Sequence, residues 1–228
     1  MTGRDLSGRT VVVLGGRGAL GRAVVTRLRD DGASVVAADA RPPGAEAVSD
    51  VRHITVDLLD EASVSAALAA VAAPLAVVNV VGGYTPPQAV ADLDVSVLRQ
   101  QFELNLVTAA IVTKYAMPLL AAQGGGAIVH TSSRVAAEKG ENSFSYSVAK
   151  LGVVRLVEAA GAEGMRQGVR VNCIMPSIID TPANRAAIPD ADYDRWPKPE
   201  ELAAVLSFLV SDDAALISGA AIPVYGRV

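Results

Sequence analysis

The sequence predicts a doubly wound α/β fold, with one sheet of seven mostly parallel strands and helices on both faces. Three observations predict it. Short β-branched runs recur along the whole chain with alanine-rich helical stretches between them. The runs are continuously apolar rather than alternating, so both faces of the sheet must be covered. The stretches between them are long enough for the crossover helices that parallel neighbours require.

The elements follow in order. TVVVL, at 10–14, is the first strand, and VVVLGGRGALGRAVV, at 11–25, breaks from it into glycines with one arginine before resuming as a helix that opens near Ala19. Gly15, Gly18 and Gly21 let the backbone bend sharply and approach a ligand closely. The helix start directs free N–H groups and a positive dipole end at the same place, which suits a pyrophosphate. SVVAA, at 34–38, is the second strand and ends in Asp39, where a carboxylate accepts hydrogen bonds from adenosine ribose hydroxyls. Strand, glycine turn, helix and acid together predict a dinucleotide site. Arg17 and Arg41 are each able to pair with a 2′-phosphate. A carboxylate repels that phosphate more directly, and the expected cofactor is NAD, with NADH preferred over NADPH.

HITV, at 53–56, is the third strand. AALAAVAAPLAVVNVVGG, from Ala66, approaches the length of a bilayer span, but Pro74, Asn79 and the weak hydrophobicity of alanine argue for a helix followed by the buried strand LAVVNV. A helical pattern covers 97–122, and AIVHTS then ends a strand in Ser132 and Ser133, at the carboxyl edge where open α/β sheets bind ligands. FSYSVAKLGVVRLVEAA opens the next helix with Tyr146 and Lys150 four residues apart, on one face. A fixed ammonium beside a phenol stabilises the phenolate and draws the phenol's pKa toward neutrality. VRVNCI and AAIPV complete the sheet. Between them, residues 177–199 carry four prolines and Trp196, which resist a regular helix and suggest a lid or binding loop.

The 228 residues contain no linker or charge run, so the expectation is one domain over 1–228. A hydrophobic fraction of 51% with 19% charged residues is a globular composition. The net charge of −4, with basic residues scattered, does not suit a nucleic acid partner. Cys173 is the only cysteine, which excludes an internal disulfide and reads as buried filler. The N-terminus lacks the apolar core of a signal peptide, and the expected location is the cytoplasm, away from membranes. His53 and His130 have no partners at ligand spacing, so both read as structural and no metal is expected.

These residues together resemble the short-chain dehydrogenase/reductase family across essentially the whole chain, which implies an NAD(P)-binding Rossmann domain. In that family a serine thirteen positions before the tyrosine orients the substrate carbonyl, which selects Ser133 over Ser132. The resemblance implies that Tyr146 is the acid/base of hydride transfer between a nicotinamide and a carbonyl/alcohol pair. It also implies that Lys150 tunes the tyrosine and binds the nicotinamide ribose, and that Asn105, in FELNLVTAA, holds a proton-relaying water. Gly15, Arg17, Gly18, Ala19, Leu20 and Gly21 would cradle the cofactor with Asp39. Asp57 and Leu58 resemble the adenine contacts, and Asn79 to Gly82 the segment under the nicotinamide ribose. In VNCIMPSIIDTP, Pro176, Ile179 and Thr181 resemble the segment that meets the carboxamide. Leu14, Ala19, Val80 and Ser177 depart from the family's usual Thr, Gly, Asn and Gly.

Within the family, GGRGALG, VVGGY and DTPANRAAIPDADYDRW look most like the quinonoid dihydropteridine reductase branch, which generally lacks the tetrad serine. The expectation is therefore an ordinary ketone or alcohol substrate, with a dihydropterin, or a non-catalytic NAD(P) sensor, as the alternatives. Tyr84 and Trp196 are candidates to flank a substrate ring. The helical segments 97–122 and 145–165 are apolar on more than one face, and in relatives these helices form the subunit interface, so a homodimer or homotetramer is expected.

Overall fold

The computed structural model describes residues 5–138 and 140–228. Seven strands form one sheet: β1 Thr10–Leu14, β2 Ser34–Asp39, β3 Arg52–Thr55, β4 Pro74–Asn79, β5 Gly126–Thr131, β6 Val169–Pro176 and β7 Ala221–Val224. They lie in the order β3-β2-β1-β4-β5-β6-β7, and every neighbouring pair is parallel. The seven predicted strands are thus present, and the sheet is wholly parallel rather than mostly so. The helices are α1 Ala19–Asp30, α2 Glu61–Ala69, α3 Val95–Phe102, α4 Thr108–Ala122, α5 Phe144–Gly164, α6 Pro182–Ala187 and α7 Pro199–Val210.

The continuous apolar strands are explained by two cores. In β1, Val11 and Val13 pack with Leu20, Val24 and Leu28 of α1 and Leu202 and Leu206 of α7. Val12 and Leu14, pointing the other way, pack with Val64 and Leu68 of α2, Val112 and Ala116 of α4 and Val153 and Val157 of α5. Neither strand face meets water, so neither tolerates the polar alternation of a half-exposed sheet. Each fully buried valine or leucine contributes roughly 1.5–3 kcal/mol relative to exposure.

The stretch from Ala66 resolves as expected into the end of α2 and strand β4, with Pro74 at the strand's first residue. A continuous helical run, Val95–Ala122, is long and apolar enough by composition to cross a membrane. In this fold its inner side joins the core beside α5 and the sheet. The 177–199 segment differs from expectation by holding a short helix, α6. Pro182 sits in its first turn, and Thr181 Oγ1 accepts the Asn184 N–H at its cap. Trp196, proposed as a ring-flanking residue, is buried and meets Tyr193 edge-on at 5.0 Å, so it anchors this segment to the body of the protein. Cys173 is buried as expected, and burial pushes its thiol up to about 12.

The chain reverses its winding direction between β1 and β4, which places a crevice at their carboxyl ends.

Candidate active site

At that crevice the first turn is shaped by glycine. Gly15 has φ +83°, a left-handed conformation, and a Cβ there would meet Val81 at 2.9 Å. A Cβ on Gly21 would lie 2.0 Å from the Gly15 carbonyl oxygen, so the helix can begin this close to the turn only without a side chain. Gly18 is the N-cap of α1, makes no side-chain capping bond, and no acid stands in the first turn. The helix end therefore presents unsatisfied N–H groups and positive potential.

A cleft of about 370 Å³ opens here, lined among others by Gly15, Arg17, Gly18, Asp39, Asp57, Leu58 and Gly82. Asp39 ends β2, and its Oδ2 accepts the Arg17 backbone N–H at 3.3 Å. The Asp57 carboxylate turns back to accept the Leu59 N–H at 2.9 Å, so it shapes the loop while Leu58 supplies apolar wall. Three expected cofactor residues stand beside the cleft: Leu20 is buried under α1, Gly21 packs on the turn, and Ala19 faces a second cleft between α1 and the 180–200 segment. Ile179 and Thr181 both hold α6, the first through its carbonyl to Asn184 Nδ2 at 2.8 Å and the second through its cap. Pro176 closes β6 and is buried.

The second wall is the turn after β4, where a buried polar chain fixes the backbone. Asn79 Oδ1 accepts the Val81 N–H at 3.1 Å, and Asn79 Nδ2 meets His130 Nδ1 at 3.3 Å. Thr113 Oγ1 donates to the Ala109 carbonyl at 2.8 Å, so toward His130 Nε2, 2.9 Å away, it can only accept. One tautomer satisfies every group: His130 carries its proton on Nε2 and accepts at Nδ1. Burial, aided by the Lys150 charge, depresses the His130 pKa to about 4 and holds it neutral. Sequence reading made His130 structural. Its tie to the cleft wall through Asn79 was invisible because it joins β4, β5 and α4.

Between α3 and α4 the helix widens to i→i+5 bonding over Glu103–Val107, and Asn105 lies in that turn. Its Nδ2 donates to the Gly83 carbonyl at 3.0 Å, and the Gly83 N–H donates to its Oδ1 at 3.1 Å. The same Nδ2 also reaches the side-chain oxygen of buried Gln101 at 3.0 Å. Asn105 thus clamps the β4 turn from below. Gln101 was missed in the sequence, although its position one helical turn before Asn105 was the available signal.

Tyr146, Lys150 and Ser133 meet at the crevice's inner end. Ser132 donates to the Lys150 carbonyl at 2.8 Å and is buried, whereas the Ser133 hydroxyl stands near the Tyr146 phenol, where it favours the phenolate. Lys150 is buried, donates to the Thr131 carbonyl at 2.8 Å, and stands 5.8 Å from the Tyr146 ring centroid. Burial lowers its pKa to about 8. Burial raises the Tyr146 pKa, with the Ser133 hydroxyl acting in the opposite direction. The phenol of this structure is therefore held above its ordinary value rather than drawn toward neutrality. Tyr84 crosses Tyr146 edge-to-face, with centroids 5.1 Å apart, and is 57% exposed. No group of three or more His, Cys, Asp or Glu residues able to hold a metal occurs among the described residues.

The site fits a dinucleotide. A Cβ on Gly82 would lie 2.8 Å from both Asn105 Oδ1 and Lys150 Nζ, so the missing side chain leaves a cradle over two polar groups. The uncapped α1 terminus supplies donors to an anion, and Asp39 supplies an acceptor at the far end.

A glycine cradle at the sheet's switch point, beside a Ser-Tyr-Lys cluster, defines a nucleotide-dependent oxidoreductase of the α/β class, and comparison with known proteins agrees. A family model described as enoyl-(acyl carrier protein) reductase matches residues 16–226. Cis-4-hydroxycyclohexanecarboxylate dehydrogenase of Sinomonas cyclohexanicum is 33% identical, over 98% of both chains. D-threitol dehydrogenase of Mycolicibacterium smegmatis is 29% identical, over 97% of this chain and 93% of that one. A short-chain dehydrogenase/reductase structure from Mycobacterium ulcerans superposes with a TM-score of 0.90 at 28% identity, covering 98% of this chain and 90% of that chain. The chain belongs to the short-chain dehydrogenase/reductase family of NAD(P)-dependent oxidoreductases.

Proposed function

We propose that this protein is a single-domain, cytoplasmic dehydrogenase that interconverts a secondary alcohol and its ketone, preferring NADH over NADPH. The observation that carries the reading is the convergence of Ser133, Tyr146 and Lys150 beside the Gly82 cradle, with the Ser133 hydroxyl near the Tyr146 phenol and Lys150 Nζ 5.8 Å from its ring centroid. The nicotinamide, when bound, supplies or accepts the hydride. Gly15, Arg17, Gly18 and Asp39 would hold its adenosine and pyrophosphate end, and Gly82 and Lys150 its nicotinamide ribose.

The substrate oxygen sits between two hydroxyl donors, Ser133 and Tyr146. In reduction the phenol gives its proton to the oxygen as the alcohol forms, and in oxidation the phenolate takes it back. The Lys150 ammonium, fixed by the Thr131 carbonyl, stabilises the phenolate left behind. Asn105 keeps the Gly83 backbone in place and so keeps the cradle open. The preference for NADH rests on Asp39, whose carboxylate lines the end of the cleft that would meet a 2′-phosphate.

For the substrate, a hydroxyl on a six-membered ring is favoured. The more similar of the two curated relatives is named for such a compound, and Tyr84 offers a half-exposed aromatic wall against Tyr146. The open-chain polyol of the other named relative is the competing class. The decisive test is Tyr146→Phe. NADH binding measured by calorimetry is expected to persist, while turnover of 4-hydroxycyclohexanecarboxylate falls by roughly a thousandfold. Unchanged turnover would remove Tyr146 from the mechanism, and a wild type that binds NADH yet turns over neither ring nor open-chain alcohols would favour a nucleotide sensor.

A further inference from the structure

The adenosine end of the cleft carries two opposed signals. Asp39 disfavours a 2′-phosphate, while Arg17, next to it in the glycine turn, is the side chain best placed to attract one. The loop that follows β2 resolves the conflict. It folds back over the glycine turn so that the Pro42 carbonyl accepts from Arg17 Nη1, and Glu46 Oε1 accepts from Arg17 Nη2 at 2.5 Å. Held between them, the Arg17 side chain is only 14% exposed. Its Nε is buried without a partner, so the guanidinium edge is covered as well as paired. The pair packs closely on Gly44, where a Cβ would lie 2.6 Å from Glu46 Oε2 and 3.1 Å from Arg17 Nη2. Glu46 also lines the cleft itself, beside Asp39 and Arg41.

We propose that Glu46 is a second determinant of cofactor choice, acting through Arg17: it keeps the guanidinium committed to the loop and so withholds it from a 2′-phosphate. The inference rests on the cofactor preference proposed above. The loop, rather than the glycine turn, decides whether this arginine is offered to the ligand. An NADPH molecule has to break the Glu46 pair before it gains Arg17, whereas NADH, whose ribose hydroxyls address Asp39, leaves the pair intact. Arg41 lines the same end but is exposed, so its charge is screened by solvent.

The test is a binding cycle with wild type, Glu46→Gln, Arg17→Met and the double variant. Calorimetry reads Kd for NADH and NADPH, and for the half-ligands adenosine 5′-phosphate and adenosine 2′,5′-bisphosphate, so the result does not depend on catalysis. Glu46→Gln is expected to improve the binding of each 2′-phosphorylated ligand, relative to its unphosphorylated counterpart, by about tenfold. In the Arg17→Met background that gain should vanish. No gain from Glu46→Gln overturns the proposal. A gain that survives the loss of Arg17 overturns it too, since bulk charge or Arg41 would then explain the effect. The wild-type ratio of NADH to NADPH affinity reads the cofactor preference separately. A wild type that favours NADPH would retire the Asp39 reading, while the coupling between positions 46 and 17 would still be decided by the same four proteins.

Discussion

Tyr146 can donate a proton only while it holds one, and the pocket is built to keep it. Burial raises the phenol's pKa, and the nearest cation, Lys150, is bonded to the Thr131 carbonyl rather than to the phenol oxygen. The proposed acid is therefore protonated through the neutral range. Ketone reduction should be insensitive to pH until the alkaline side and then fall, whereas alcohol oxidation, which needs the phenolate, should rise over the same range. Profiles of kcat/KM in the two directions check this, and an oxidation rate that falls on going alkaline would contradict it. Ser133 is the proposed second donor to the substrate oxygen. Ser133→Ala is expected to cut ketone reduction roughly a hundredfold, the scale of one lost oxyanion-type donor. The dihydropterin alternative makes the opposite forecast, because reduction of a quinonoid ring nitrogen system needs no carbonyl donor. Efficient dihydropterin reduction surviving Ser133→Ala would therefore replace the alcohol assignment.

Secondary-structure elements meet at the β4 turn, and what joins them is polar. From Val81 through Asn79, His130 and Thr113 to Ala109, each hydrogen bond fixes the direction of the next. Protonating His130 at Nδ1 would set a donor against the Asn79 amide, whose other end is committed to Val81. Burial and the charge of Lys150 depress the pKa to about 4 from 6.5, and the Asn79 amide opposes protonation in the same sense, whereas Thr113 accepts from Nε2 in either state. The unfolded chain takes up this proton below pH 6.5 and the folded chain only near 4, so the stability contributed is fully present above 6.5 and is lost as pH falls toward 4. The loss from this group is on the order of 3 kcal/mol. Denaturant unfolding from pH 7 to pH 4 should show it. His130→Phe should be less stable at pH 7, by about 1–3 kcal/mol for the unpaired partners, with a flatter dependence over that interval. Equal slopes for the two proteins would rule His130 out as the titrating group.

At the scale of the molecule, one face remains unexplained by the monomer. The sheet is covered on both sides, yet α5 leaves Phe144 and Leu151 exposed, and Val107 is exposed just before α4. Residues 97–122 and 145–165 were the segments whose apolar character exceeded one face, and α4 and α5 pack side by side. We propose that these two helices meet their counterparts in a second copy, giving a homodimer or homotetramer. Light scattering at micromolar concentration should find the larger mass, and Leu151→Arg should shift it toward the monomer. A monomeric wild type would refute the proposal.

By itself the sequence determined the sheet, the switch point and the residues gathered there, because these follow from local signals. Continuous apolar runs demand a doubly covered strand. The glycine turn demands a close approach, and the spacing from Tyr146 to Lys150 puts both on one helical face. Asp39 was legible for the same reason, as the last residue of a strand. What only the tertiary structure decided were pairings between distant segments. These are the engagement of Ser132 by the Lys150 carbonyl, which leaves Ser133 beside Tyr146, the tautomer of His130 and the clamp from Asn105 to Gly83. The burial of Trp196 and the capture of Arg17 by Glu46 belong with them. A side chain's partner depends on which strands and loops the crossovers bring together, and on how much water remains once they have met. No local pattern encodes either quantity, and for that reason the direction of the Tyr146 shift, set by burial, reversed the expectation drawn from its neighbouring lysine alone.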